Sequence, residues 1–216
     1  MTTPDNTQDP TRTDSTEFWD GRYAESDRVW SGEANVVLVR EVAGLTPGRA
    51  LDLGCGEGAD AVWLARRGWR VTATDISRVA LDRAARHAAE AGVADRVDWQ
   101  RHELGKTFPE GEFDLVSSQF LHSPTELPRE EILRRAARAV APGGRLLVEG
   151  HSGWPSWQPN PHPEVHLPSP QEVVESLRLD EDAWEILICA EHDRVQLTPD
   201  GEEATRTDST VLARRR

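Results

Sequence analysis

Lysine is almost missing from this chain: Lys106 is alone among 25 basic residues in 216, and arginine supplies the rest. Cysteine is nearly as scarce, and Cys55 and Cys189 have no paired spacing, so neither a disulfide framework nor a cysteine-ligated metal site is expected. No apolar run approaches the length of a membrane span, and the polar N-terminus lacks the apolar core of a secretory leader, which excludes a membrane partner and points to a cytoplasmic protein. Positive charge is outweighed by 38 acidic residues, for a net charge of −13, and so acidic a surface argues against nucleic acid as a partner. The length suits one domain, over 16–216, with a sizeable core. Residues 1–15 contain almost nothing to bury and read as a disordered tail.

What the chain does have is glycine in a telling place. Ala50 to Leu53 reads as a buried strand, and Gly54, Cys55, Gly56, Glu57 and Gly58 then turn tightly into a helix. Glycines at alternate positions let backbone approach a ligand where a side chain would collide. The helix that follows aims its free N–H groups and positive dipole end at the same spot. Asp75 ends the next strand-like run, where a carboxylate can accept both hydroxyls of a ribose bound across the strand ends. These residues imply a nucleoside-bearing cofactor held by Gly54, Gly56, Gly58 and Asp75. The loop alone also fits the dinucleotide pattern G-x-G-x-x-A, which keeps a nicotinamide-linked dehydrogenase in play. Asp52, two positions before the first glycine, instead suits a cationic amino group.

Further motifs follow in order: Val71 to Ser77, Phe113 to Val116, and Pro142 to Val148. With Leu51 to Gly58 they resemble class I S-adenosylmethionine-dependent methyltransferases, from about Trp19 to the C-terminus, and most nearly the small tellurite-resistance and thiopurine methyltransferase types. The resemblance implies an α/β Rossmann-like methyltransferase fold: a seven-stranded mixed sheet, its last strand antiparallel, with helices on both faces. It implies S-adenosylmethionine as cofactor, bound by Tyr23, Trp30, Asp52, Gly54, Cys55, Gly56, Gly58, Asp75, Ile76, Glu103 and Gln119. Glu103 departs from the family's Asp by one methylene but can still accept from the adenine amine. An N-terminal helical lid over 16–48 would bring Tyr23 and Trp30 near the sulfonium, where a desolvated cation over a π face gains roughly 2 kcal/mol. Ordinary helix-on-sheet packing is the other reading of the same aromatics.

Methyl transfer from a sulfonium is an in-line displacement, to which an enzyme contributes mainly alignment and removal of water. A thiolate needs no base, whereas a hydroxyl does, and histidine is the natural group near neutral pH. His122, just past the fourth strand, and His151, at the end of the fifth, are the candidate catalytic residues. The stretch 151–168 carries five prolines, which forbid regular structure and make a stiff surface loop at the cofactor side. Its Trp154 and Trp157 are candidate substrate-binding residues, or staples holding the loop to the body. His151, His162 and His166 invite a metal reading, but proline-broken spacing makes their convergence unpredictable, and no metal is expected. His87, His102 and His192 read as solvated. The expected function is methyl transfer to a small-molecule acceptor, a soft nucleophile such as a thiol or an activated hydroxyl; binding of the cofactor without methyl transfer remains the alternative. Nothing in the motifs reports the oligomeric state.

Overall fold

Runs of β-branched and aliphatic residues form a parallel sheet whose strands are buried on both faces, because helices cover both sides. The computed structural model describes residues 14–158, 162, 165–198 and 200–216. Most of the expected polar tail, Pro159, Asn160, Pro161, Pro163 and Glu164 of the proline-rich loop, and Pro199 of the final turn lie outside the described residues. In chain order the elements are α1 (Ser15–Ala24), α2 (Val36–Val42), β1 (Arg49–Leu53), α3 (Ala59–Arg66), β2 (Arg70–Asp75), α4 (Arg78–Glu90) and β3 (Val97–Arg101). There follow β4 (Phe113–Gln119), α5 (Arg129–Arg138), β5 (Val140–His151), α6 (Pro170–Leu177), β6 (Trp184–Leu197) and β7 (Glu203–Arg215).

The sheet has seven strands in the order β3-β2-β1-β4-β5-β7-β6. Strands β1 to β5 run parallel, and β7 is antiparallel to both β5 and β6. Alternate residues of β1 serve opposite faces: Ala50 joins the core under α2, α3 and α4, while Leu51 and Leu53 join the core under α5 and α6. Local chemistry sets the helix starts. Ser77 caps α4 by accepting from the Ala80 N–H, and Ser169 with Glu172 forms a capping box on α6. No helix among the described residues is long and apolar enough to cross a membrane.

Residue spacing predicts a second helix over Ala34 to Val42; it begins at Val36, because Asn35 gives both its backbone N–H and its side-chain amide to Asp60, each at 2.7 Å. Alternation of Trp184, Ile186 and Ile188 with Glu185 and Leu187 predicts a half-buried strand; it runs on to Leu197, since β7 offers it a paired partner throughout. A bulge between Ile186 and Ile188 breaks the alternation, so Ile186 and Leu187 both reach the surface.

Candidate active site

Strand order reverses between β1 and β4, and in an open α/β sheet the crevice at such a switch point, outside the strand C-termini, is where ligands bind. The glycine turn sits there. Gly54 and Gly56 have φ of 72° and 51°, a region that disfavours any residue with a Cβ. A Cβ on Gly54 would lie 2.7 Å from Leu121 Cδ1, and one on Gly56 would lie 2.8 Å from the Tyr23 hydroxyl and 3.3 Å from Trp30 Nε1. At Gly58 the collision would be with Trp99 and Ala84, so that glycine serves helix packing rather than ligand approach. Asp75 accepts from the Gly56 N–H and the Ser77 N–H, both at 2.9 Å. Its carboxylate therefore braces the turn and keeps a further lone pair on each oxygen for a ribose.

Beneath the turn lies a concentration of buried acid. Asp52 is 2% exposed and its Oδ2 has no hydrogen-bond partner; neither has Gln119 Oε1, whose amide nitrogen is spent on Ser117. Burial, then the charges of Asp60 and Asp75, pushes the Asp52 carboxyl well above the usual carboxylate range. Buried oxygens left unpaired are costly, and a cationic ligand relieves both the desolvation and the mutual repulsion. The residues present thus fit a sulfonium-bearing amino acid with an ammonium group.

The N-terminal segment lies directly over this turn. Trp19 Nε1 donates to Ser123 Oγ at 3.1 Å, and Asp20 accepts from the Ser77 hydroxyl at 2.6 Å, tying α1 to the ends of β4 and β2. Tyr23 is buried, and its hydroxyl accepts from Trp30 Nε1 at 2.9 Å. Glu57 holds the following loop by accepting from the Val29 and Trp30 N–H groups and from Arg83 at 3.0 Å. Burial raises the Glu57 pKa, but the bonds from Trp30, Arg83 and Val29 outweigh it and hold the carboxylate below its ordinary range. Cys55 has its thiol pushed well up by burial and nearby carboxylates, which makes it inert. Ile76 is half-buried at the end of β2, and Glu103 pairs with Lys106 at 2.8 Å.

On the far side of β4 the sheet register assembles a polar row. His151 of β5, Asp208 of β7 and His192 of β6 are direct cross-strand partners. His151 Nδ1 bonds Asp208 Oδ1 at 2.7 Å, and Arg194 Nε donates to Asp208 Oδ2 at 2.6 Å. The His151 ring lies 4.7 Å from that of Phe120 and 5.1 Å from that of His122, stacked parallel on the latter. Phe120 has φ of 52°, a strained conformation for a bulky residue at the end of β4. Burial lowers the His151 pKa, and Asp208 partly offsets this. His122 differs: its Nε2 accepts from the His151 N–H at 3.1 Å, and burial, with Arg129, takes its pKa down to about 3. It is a neutral imidazole whose lone pair is already engaged.

The remaining histidines depart from the solvated reading. His87 Nδ1 bonds the Glu57 carbonyl at 2.9 Å, His102 is held between Gln100 and Thr107, and His192 pairs with buried Glu149 at 3.2 Å. Each sits where a neighbouring strand or turn supplies a partner that sequence spacing does not reveal. His166 bonds Glu172 on the surface, away from His151, while His162 lies beside Trp154. Glu149, His192 and Asp208 bring ligand-type atoms within 4.8 Å of one another. Their oxygens are spent on Thr210, His192, His151 and Arg194, which makes them an ion-pair network. Trp154 is half-buried, Trp157 is exposed, and the loop's first residues are tacked along β7 through Thr207 and Thr205. Motif and spacing do not single out Asp208, Glu57, Phe120 or Arg129. For Asp208 the chain offers no signal, since it stands in the polar run Thr205 to Thr210 of β7.

Residues 50–144 match the family model described as a methyltransferase domain. The matched stretch holds the glycine turn and β1 to β4, so that part of the chain is similar to a methyltransferase domain. Among curated relatives, 27-O-demethylrifamycin SV methyltransferase of Amycolatopsis mediterranei (strain S699) is 35% identical over 61% of this chain and 48% of its own length. The chain spans less than two thirds of the curated relatives it matches, from 34% to 59% of the length of seven of them. A solved structure concerned with conversion of a disulfide bond into a thioacetal group during echinomycin biosynthesis superposes with a TM-score of 0.72 and 26% identity, covering 93% of this chain and 92% of that one. The N-methyltransferase NodS from Bradyrhizobium japonicum WM9, solved with S-adenosyl-l-homocysteine, has a TM-score of 0.68 over 94% of this chain and 99% of its own. At 17% identity it shares the fold alone.

Proposed function

We propose that this protein transfers the methyl group of S-adenosylmethionine to a small-molecule acceptor through an oxygen or sulfur that must first lose a proton. S-adenosylmethionine, when bound, supplies an electrophilic methyl on a positively charged sulfur. Gly54 and Gly56 provide close-approach backbone for its amino-acid end, Asp52 and Gln119 accept from its ammonium, and Asp75 accepts from its ribose. Tyr23 and Trp30 move off Gly56 to admit it and then shut out water. Cys55, Ile76 and Glu103 border the adenosine.

The observation carrying the acceptor side is the 2.7 Å bond from His151 Nδ1 to Asp208. Asp208 fixes the tautomer with its proton on Nδ1, leaving Nε2, which has no partner among the described residues, as the free base. A base is superfluous for a preformed thiolate, so the dyad favours a hydroxyl or a neutral thiol over the softest nucleophiles. In this reading His151 takes the base role, and His122 stacks against it and accepts its N–H. Trp154 borders the acceptor, and exposed Trp157 contributes only if the loop folds inward.

Calorimetric titration tests the cofactor half: S-adenosylhomocysteine should bind, and NADH should not. Asp75→Ala should weaken that binding at least tenfold, since a hydrogen bond to a charged group contributes ~1.5–3 kcal/mol. Mass spectrometry on phenol, thiol and amine acceptors tests the other half. Tight cofactor binding with no methylated product from any of them would leave only a binding protein.

A further inference from the structure

Arg129 has no anion among the described residues, in contrast to Arg83 and Arg194. Arg83 is paired with Glu57, and Arg194 with Asp208. Arg129 opens α5, and its guanidinium has no acceptor among the described residues; its Nε is fully buried and unpaired. The group is packed beside the acceptor side of the crevice. A Cβ added to Gly150 would lie 3.1 Å from Arg129 Nη2 and 3.3 Å from His122 Nε2, so the absence of a side chain there makes room for the guanidinium. His122 in turn stacks on His151. Burial depresses the Arg129 pKa, and the only carboxylate that acts on it is Glu130, which is committed to Arg134. His122, facing Arg129, stays neutral and supplies no counter-charge.

A desolvated guanidinium without an anion is expensive, and its forked donors match a planar oxyanion. Beside Arg129, the rings of Phe120 and His122 both pack on that of His151, at 4.7 and 5.1 Å. We infer that Arg129 is an oxyanion subsite, so that the methyl acceptor carries a carboxylate or phosphate besides the atom that His151 deprotonates, on an aromatic or similarly flat body. The inference rests on the methyltransferase reading for what lies beside the subsite, while the subsite itself is testable alone. It also runs against the molecule's overall charge of −13, which repels anions, so recognition has to be local.

The test is calorimetric titration of the full chain with benzoate, phenyl phosphate and neutral benzamide, with and without saturating S-adenosylhomocysteine. At least one oxyanion should bind tenfold or more tightly than benzamide, and which one does separates carboxylate from phosphate. Arg129→Gln should remove that preference while leaving S-adenosylhomocysteine affinity within twofold, and Arg129→Lys should keep part of it. Equal binding of benzoate, phenyl phosphate and benzamide, or a preference that survives Arg129→Gln, overturns the subsite. Should Arg129→Gln fail to fold, the wild-type comparison with benzamide still decides. Failure of S-adenosylhomocysteine to bind, with the oxyanion preference intact, would instead sink the methyltransferase reading and leave the subsite standing.

Discussion

Asp208 has its side chain wholly buried within β7, and it bonds two partners at once, the imidazole of His151 and the cation Arg194. Burial pushes its pKa up, but those two partners overcome this and keep it ionised. The bond it makes raises the His151 pKa against the larger lowering by burial. Two consequences can be read from a pH profile. If His151 is the base, kcat/KM of the native protein should hold down to the ordinary histidine value of about 6.5 and fall only in more acid solution, because burial lowers the His151 pKa. Asp208→Asn removes the raising contribution, so the acidic limb should shift to lower pH while kcat falls by a factor of about 100 or more, as expected for a misaligned base. His122→Gln, which keeps an acceptor for the His151 N–H, should leave the position of that limb unchanged. A limb that follows His122 instead would return the base to that residue.

At the scale of elements, the segment from α1 to α2 stays on the sheet through a few polar anchors and little apolar area beyond Tyr23, Val37, Leu38 and Val42. Glu57 is the principal anchor, with side-chain exposures of 4% for itself and 10% for Arg83. Removing one member of a buried pair strands the other, so Glu57→Ala should cost about 3–5 kcal/mol, or roughly 6–20 °C in Tm. Ser169→Ala, which only opens the cap of α6, should cost about 1 kcal/mol and roughly 2–4 °C. Scanning calorimetry of the two variants side by side measures the difference. Because the Glu57 pKa is depressed on folding, its contribution is complete above about pH 4.5 and is lost as pH falls through the lower folded value. Acid should therefore loosen the α1–α2 segment, seen as faster amide exchange at Val29 and Trp30.

For the whole molecule, the same segment links ligand binding to stability. S-adenosylhomocysteine at 100 times its Kd should add ~2.7 kcal/mol, which for a domain of this size raises Tm by roughly 5–10 °C. Amide exchange over Ser15 to Trp30 should slow on binding. No Tm shift at saturating ligand would mean that Tyr23 and Trp30 hold the glycine turn closed against it. Affinity should also weaken in acid, since the ligand's positive charge favours ionised Asp52, whose pKa is raised in the free protein.

Features that depend on near neighbours in the chain are legible in the residue order: the glycine turn, Asp75 at the end of β2 and the motifs that imply a mixed seven-stranded sheet. Their chemistry is local, since a left-handed turn or a buried strand is specified within a few residues. The acceptor side is not legible in the same way. His151 stands out as a strand-end histidine, but its pairing with Asp208 depends on the register of β5 against β7, which spacing alone cannot supply. Likewise the engagement of His122, the grip of Glu57 on the N-terminal segment and the unpaired charge of Arg129 arise only when distant strands and helices are packed. Residue order is enough to mark the proposed nucleoside end of the site, because backbone conformation and one nearby carboxylate make it. Packing is what chooses the groups that face the acceptor, because burial and cross-strand register, rather than residue type, set their protonation and their partners.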